Sequence, residues 1–259
     1  MQVRFIEDTH QYLSDKGELT SVSNFVKGFE QKKDWAAIAK KKVANLKKYQ
    51  GVIKTVDEIL AEWDRKRNLG SSAGTIIHEI KERETLEKYS NVKHTGFKGE
   101  EGGKVSFDLS LLEDGYIYPE LMCYDFDNML CGQSDEVQIL NKKINIIDIK
   151  TDKSIDFRAY QTEWTEPEYL LPPVNHLQNC NGNIYALKMS LYMYMVWKQC
   201  KGRYKPGKII LKWCPIERDE EGIPILYNGV PKIIKEEEIE LPYLKKEVIK
   251  MLQHDSKNI

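Results

Sequence analysis

The sequence is short of several features that would assign a class directly. Apolar runs are short and no signal peptide is visible, so neither membrane insertion nor export is expected. Net charge is almost absent: 39 basic residues stand against 40 acidic ones, a formal −1. Any contact with nucleic acid must therefore come from a local patch, because the molecule has no global field of one sign. Cysteine is sparse. Cys123, Cys131, Cys180, Cys200 and Cys214 make an odd number with no C-x-x-C pair, which points to reduced thiols in a cytoplasmic compartment. Internal repeats and low-complexity tracts are also missing. What remains, 41% hydrophobic and 31% charged over 259 residues, is globular and large enough to bury a substantial core.

The most informative stretch is 129–151, MLCGQSDEVQILNKKINIIDIKT. Apolar-rich runs at 133–140 and 143–150 flank a polar break at Asn141-Lys142, the pattern of an antiparallel hairpin. A two-residue loop sets Asp135 opposite Asp148, Val137 opposite Ile146 and Ile139 opposite Ile144, all on one face. Lys150 shares the face of Asp148, since alternate strand residues point the same way. Two carboxylates and an amine then gather at one end of an otherwise apolar sheet. Adjacent aspartates repel unless something positive lies between them. A divalent cation meets that need, and hard oxygen donors suit Mg²⁺ or Mn²⁺ better than zinc. A lysine beside it can orient or deprotonate a water, or stabilise a charged transition state. The competing reading is a half-exposed hairpin with ordinary surface charges.

Around that hairpin, 3–7 and 11–13 form a small hairpin, with a turn at Asp15-Lys16-Gly17 and a short helix capped by Thr20 or Ser21 that runs to Phe29. Residues 32–67 spell two helices joined near Gly51, with Trp35, Ile38, Val43 and Leu46 on one side. Their exposed positions are basic. Lys40, Lys41, Lys47 and Lys48 are either a solvated face or a clamp on a phosphate backbone. A separate helix is expected from Ser71 or Ser72, with preceding glycines that let its N-terminus approach a backbone or a phosphate. It carries His78, a structural histidine or a ligand. A polar loop over 91–103 leads to a strand over 115–126 in which Glu120 lies among aromatic and apolar neighbours. Buried there it needs a partner; the alternative is an edge residue facing solvent. Beyond the hairpin, 152–173 is a long polar loop with Trp164, suited to a lid or binding arm. A helix over 183–198 turns Ile184, Leu187, Leu191 and Met195 inward and sets Lys188 beside Tyr192. A strand over 208–216, a solvated acidic tract at 236–240 and an amphipathic helix over 241–254 complete the chain.

Five features in order, G-x-x-x-H (Gly74 to His78), the Glu120 strand, G-x-x-D (Gly132 to Asp135), D-x-K-T (Asp148 to Thr151) and K-x-x-x-Y (Lys188 to Tyr192), resemble the RecB-like, phage-type exonuclease branch of the PD-(D/E)xK nuclease superfamily. The segments THQYLSDKGELTSVSNFVKGF and HLQNCNGNIYALKMSLYMYMVW look like its opening hairpin and helix and its helix after the active-site hairpin, so the resemblance spans most of 4–200. It implies an α/β (α+β) fold with a restriction-endonuclease-like core, a central mixed β-sheet flanked by helices. The whole of 1–259 would be a single nuclease domain, with 1–70 an N-terminal hairpin and basic helical annex, 71–216 the core and 217–259 a C-terminal helix.

The resemblance implies Asp135 and Asp148 as principal ligands of one or two Mg²⁺ or Mn²⁺ ions and His78 as a ligand from the preceding helix. It implies the Ile149 carbonyl completing the shell, Glu120 as an accessory catalytic acid and Lys150 positioning the attacking water. Lys40, Lys41, Lys47, Lys48, Lys188 and Tyr192 would contact DNA. Lys188 departs from the branch, which usually has glutamine there; lysine donates but cannot accept a hydrogen bond. Some relatives hold an iron–sulfur cluster on four cysteines; the spacing here offers none, and no cluster is expected. The implied activity is metal-dependent exonucleolytic hydrolysis of DNA in phage-type recombination, replication or processing, in a host cytoplasm. Implied partners are DNA, a single-strand annealing or binding protein and further copies of the chain, but no membrane. Lys188 and the near-neutral charge leave open a catalytically weak nuclease-like nucleic-acid-binding or assembly module.

Overall fold

A computed structural model describes residues 2–255 except His94, Gly96, 99–102 and Trp164. Trp164 and part of the 91–103 loop thus lie outside the described residues. The chain opens with β1 (Arg4–Ile6), β2 (Gln11–Ser14) and β3 (Gly17–Ser21), antiparallel in series. The Ser21 hydroxyl accepts from the Asn24 N–H and starts α1 (Val22–Lys27). Next come α2 (Trp35–Gln50), stopped by Gly51 at φ 64, and α3 (Val56–Lys88), opened by a capping box between Thr55 and Glu58.

The separate helix expected from Ser71 or Ser72 does not exist: α3 runs unbroken through both glycines. The Ser72 and Thr75 hydroxyls donate to the carbonyls of Asn68 and Ser71 one turn earlier, so groups that would cap a helix are absorbed inside one. The N-terminus of the helix that carries His78 is therefore at Val56, about six turns before the histidine. At about 1.5 Å per residue the 33 residues of α3 extend about 50 Å. The apolar side assigned to α2 is also thinner than its sequence suggests, since only Ala39 is buried and Trp35 and Ile38 are exposed.

The remaining elements are β4 (Phe97–Lys98), β5 (Lys104–Val105), β6 (Tyr116–Asp125), β7 (Leu130–Leu140), β8 (Lys143–Lys150), α4 (Asn181–Gln199), β9 (Lys205–Trp213), β10 (Leu226–Tyr227), β11 (Val230–Pro231), β12 (Glu237–Leu241) and α5 (Lys245–Asp255). Ten strands form one mixed sheet in the order β12-β9-β8-β7-β3-β2-β1-β5-β4, with β6 also pairing β7. The β8–β9 and β3–β7 pairs are parallel and the others antiparallel. The fold is α+β, a large mixed sheet flanked by helices. The glutamates of the acidic tract are exposed, as expected of solvated surface, but Glu237–Leu241 is also a strand, β12, paired with β9 at the end of the sheet. Exposed glutamates there keep the open edge from pairing further. The segment after 216 therefore supplies β10, β11 and β12 as well as the helix.

Buried nearly all round, α4 packs on β6–β9 over Val137, Ile139, Ile144 and Ile146, with α1 and α5 against it. The second half of α3 forms a smaller core in which Ala73 and Ile77 meet Ile149, Cys214 and Ile216. Ile149 alternates with Ile146 and Asp148 along β8, so α3 and α4 cover opposite faces. The end of the long segment after β8 is anchored: Leu170 and Val174 are buried and the Leu171 N–H donates to the Phe29 carbonyl at 2.7 Å. Among the described residues no helix is long and apolar enough to cross a membrane.

Candidate metal and catalytic site

The site grows from the β7–β8 hairpin. Asn141 and Lys142 both have positive φ, 53° and 60°, as a two-residue turn between twisted strands requires. This loop fixes the pairs Ile139–Ile144 and Val137–Ile146 and ends at Glu136–Ile147. Asp135 and Asp148 face each other one step beyond. There the strands part. One edge of β7 is occupied by β6 along its length, so β8 and β3 share the other: β3 takes Leu130 and Cys131, and 132–135 lie in the gap between them.

The acids fill that gap. Asp135 Oδ2 accepts from the Ile149 N–H at 2.6 Å, replacing the ladder bond lost where the strands diverge. Its Oδ1 lies 3.2 Å from His78 Nδ1. Asp148 is ion-paired with Lys150, and Lys150 Nζ also donates to the Ile149 carbonyl at 2.9 Å. On β6, the pairs Pro119–Glu136 and Leu121–Ser134 put Glu120 opposite Asp135. Glu120 has φ 49°, a left-handed conformation in mid-strand that is uncommon for a side-chain-bearing residue and concentrates at functional positions. Gln133 Nε2 holds it twice, at the carboxylate (2.6 Å) and the carbonyl (3.1 Å). Three acids thus stand in a row on adjacent strands, with histidine from α3 at one side and lysine at the other. Ligand atoms of His78, Glu120 and Asp135 all lie within 4.8 Å of one another. Asp148 stands outside that compact set and is engaged by Lys150.

Charge in this confined space shifts the equilibria. Burial pushes Asp135 up, but the His78 hydrogen bond and the Lys150 charge outweigh it, and the carboxyl ends below its ordinary range. Asp148, more affected by burial and by the Asp135 charge, ends above. Burial and Asp135 push Glu120 from 4.5 to about 7. Burial opposes the charge on Lys150, yet Asp148 and Asp135 prevail and raise it; His78 is raised in the same way, with Asp135 overcoming burial. Oxygen donors with one imidazole are a set that hard divalent cations accept.

Of the other residues named from the sequence, Lys188 on α4 is partly buried within reach of the Lys150 charge: burial and then Lys150 lower its pKa. Tyr192 is buried, and a Cβ on Gly132 would come within 2.8 Å of its ring, so the glycine is required for α4 to seat. A surface contact between Tyr192 and DNA does not fit that burial. Gly74 gives α3 its approach to β8, since a Cβ there would lie 3.3 Å from Thr151 Oγ1. Lys40, Lys41, Lys47 and Lys48 are exposed on α2, away from the acids.

Three participants went unnamed in the sequence reading. Gln133 is two residues before Asp135, so its side chain shares that residue's face, a visible signal. Tyr185 lies under the Lys150 ammonium, 5.4 Å from its ring centre, and donates to Asp152 Oδ2 at 2.7 Å. It stands one helical turn before Lys188 on the same face, a spacing legible once the helix is drawn. Trp213, which donates to the Asp152 carbonyl at 2.7 Å, carries no local signal. Family models, curated proteins and solved structures yield no match to this chain.

Proposed function

We propose that the chain is a metal-dependent DNA nuclease, an exonuclease built on a restriction-endonuclease-like core. One observation carries the reading: Glu120, Asp135 and Asp148 form a row across three neighbouring strands, bracketed by His78 and Lys150. The antiparallel β6-β7-β8 meander followed by α4 and the parallel strand β9 supports the finer fold. His78, Glu120 and Asp135, with Asp148 beside them, would hold Mg²⁺ or Mn²⁺. When bound, the ion supplies Lewis-acid charge beside a phosphoryl oxygen.

The protein groups divide the remaining work. Lys150, kept as an ammonium by Asp148 and Asp135, cannot take a proton; it orients the attacking water and offsets charge growing on the phosphate. Glu120, opposite Asp135 and held by Gln133, would join the ion's shell as an accessory acid in its carboxylate form. Tyr185 and Asp152 position Lys150 from beneath. The Ile149 carbonyl already accepts from Lys150, which aims both groups into the gap.

The test is end-labelled linear and circular DNA incubated with Mg²⁺, Mn²⁺ or chelator. The expected result is loss of linear DNA only with metal, and none with Asp148→Ala or Lys150→Ala. An Asp148→Ala protein that degrades DNA as fast as the parent would overturn the reading. A second reading, a nuclease-like module that binds nucleic acid and cleaves little, is favoured by the engagement of Asp148 with Lys150 outside the compact ligand set. It predicts DNA binding and no metal-dependent cleavage.

A further inference from the structure

The first helical hairpin is unlike the rest of the molecule. Five lysines and no acid lie on the 16 residues of α2, and none of them joins an ion pair among the described residues. Packing of α2 is almost wholly against α3, with Trp35 edge-on to Trp63 at 5.9 Å and Lys42 over the Trp63 ring at 5.4 Å. Tyr49 is 70% exposed, at the end of a shallow groove that also includes Ile38, Lys41 and Asn45. Unpaired lysines beside exposed aromatic rings suit a strand that offers both phosphates and bases. The same α3 that carries this helix also carries His78.

That shared helix sets a distance. Trp63 precedes His78 by 15 positions and Val56, the first residue of α3, precedes it by 22. At about 1.5 Å per residue these are about 22 and 33 Å. DNA advances about 3.4 Å per nucleotide of one strand, so the interval is about six to ten nucleotides. We propose that α2 is a nucleic-acid-binding arm that engages the substrate about six to ten nucleotides from the bond being cut, and so makes the protein sensitive to substrate length. This rests on the nuclease reading for the word "cut" but not for binding.

The experiment compares the parent with Lys40→Gln/Lys41→Gln/Lys47→Gln/Lys48→Gln on labelled DNA of 4 and 30 nucleotides. Binding is followed by fluorescence anisotropy in EDTA, where nothing is hydrolysed, and cleavage separately in Mn²⁺. For the long DNA the variant should bind roughly tenfold or more weakly at 0.1 M salt, and the slope of log K against log salt should shrink by about three. For the short DNA, which cannot reach from the gap to α2, the loss should be far smaller than for the long DNA, and an unchanged thermal melt reports an intact fold. Unchanged affinity for long DNA overturns the arm, as does an equal loss on both lengths. Loss of binding to phosphatidylserine vesicles with DNA affinity intact would also overturn it and assign α2 to a lipid surface. If the parent binds long DNA through these lysines but cleaves none in Mn²⁺, the arm stands and the nuclease reading falls.

Discussion

Two regions hold positive charge in opposite ways. At the β7–β8 split, Lys150 is largely covered and pinned by Asp148, the Ile149 carbonyl and the Tyr185 ring. On α2, Lys40, Lys41 and Lys47 stand in solvent on a helix that buries one residue, Ala39. The first region surrounds its charges with Val137, Ile139, Ile144 and Ile146, all fully buried. Its ionic groups therefore keep fixed mutual positions, as chemistry at one bond requires. The second offers charge without fixing it, which on the proposed reading suits grip, as the first suits catalysis.

The sharpest way to break this contrast is through activity. Asp148→Asn keeps the shape of the side chain and removes its charge; DNA hydrolysis should fall about a thousandfold, about 4 kcal/mol in barrier, measured by product gels. Lys47→Gln should lower the rate less than about tenfold, through affinity. Comparable losses would mean the two regions do not differ as argued. Next in size is the apolar bed. Ile146→Ala should destabilise by about 2–5 kcal/mol in urea titrations; a loss near zero would show that the hairpin is not held by its burial.

Metal sharpens the site from the other side. Mn²⁺ at a hundred times its Kd should stabilise the parent by about 2.7 kcal/mol. His78→Ala and Asp135→Asn should lose most of that gain in a thermal-shift measurement. An equal shift in Asp135→Asn would move the ion elsewhere. In chelator, Glu120 sets a pH dependence. Its folded pKa is about 7 against 4.5 when unfolded, so its protonated form favours the folded state. That stability is present below pH about 4.5 and is lost as pH rises through about 7. Metal-free protein should therefore weaken between pH 5 and 8 by on the order of 1–3 kcal/mol, and Glu120→Gln should flatten the slope. The smallest effect belongs to the arm: Tyr49→Ala should change stability by less than about 0.5 kcal/mol, and a larger cost would mean that α2 packs against more than α3.

Much of this was legible in short stretches of sequence. Asn141-Lys142 between alternating Ile and Val residues determined the hairpin and its register, because turn chemistry and two-residue periodicity act over a few bonds. The apolar stripe of α4, the strand around Glu120 and the Ser21 cap are local in the same sense. Only tertiary structure decided the rest. Gly70 to Gly74 look like a helix boundary by composition, yet packing of Ala73 and Ile77 on Ile149 and Cys214 carries α3 straight through. Glu237–Leu241 is solvated charge, as its composition says, but that it is a strand depends on β9 offering it an edge. The different surroundings of the acids were the least accessible: they depend on β3 and β8 sharing one edge of β7 and leaving a gap. Strand pairing joins residues more than a hundred positions apart, and no local pattern encodes which edge a distant segment will take.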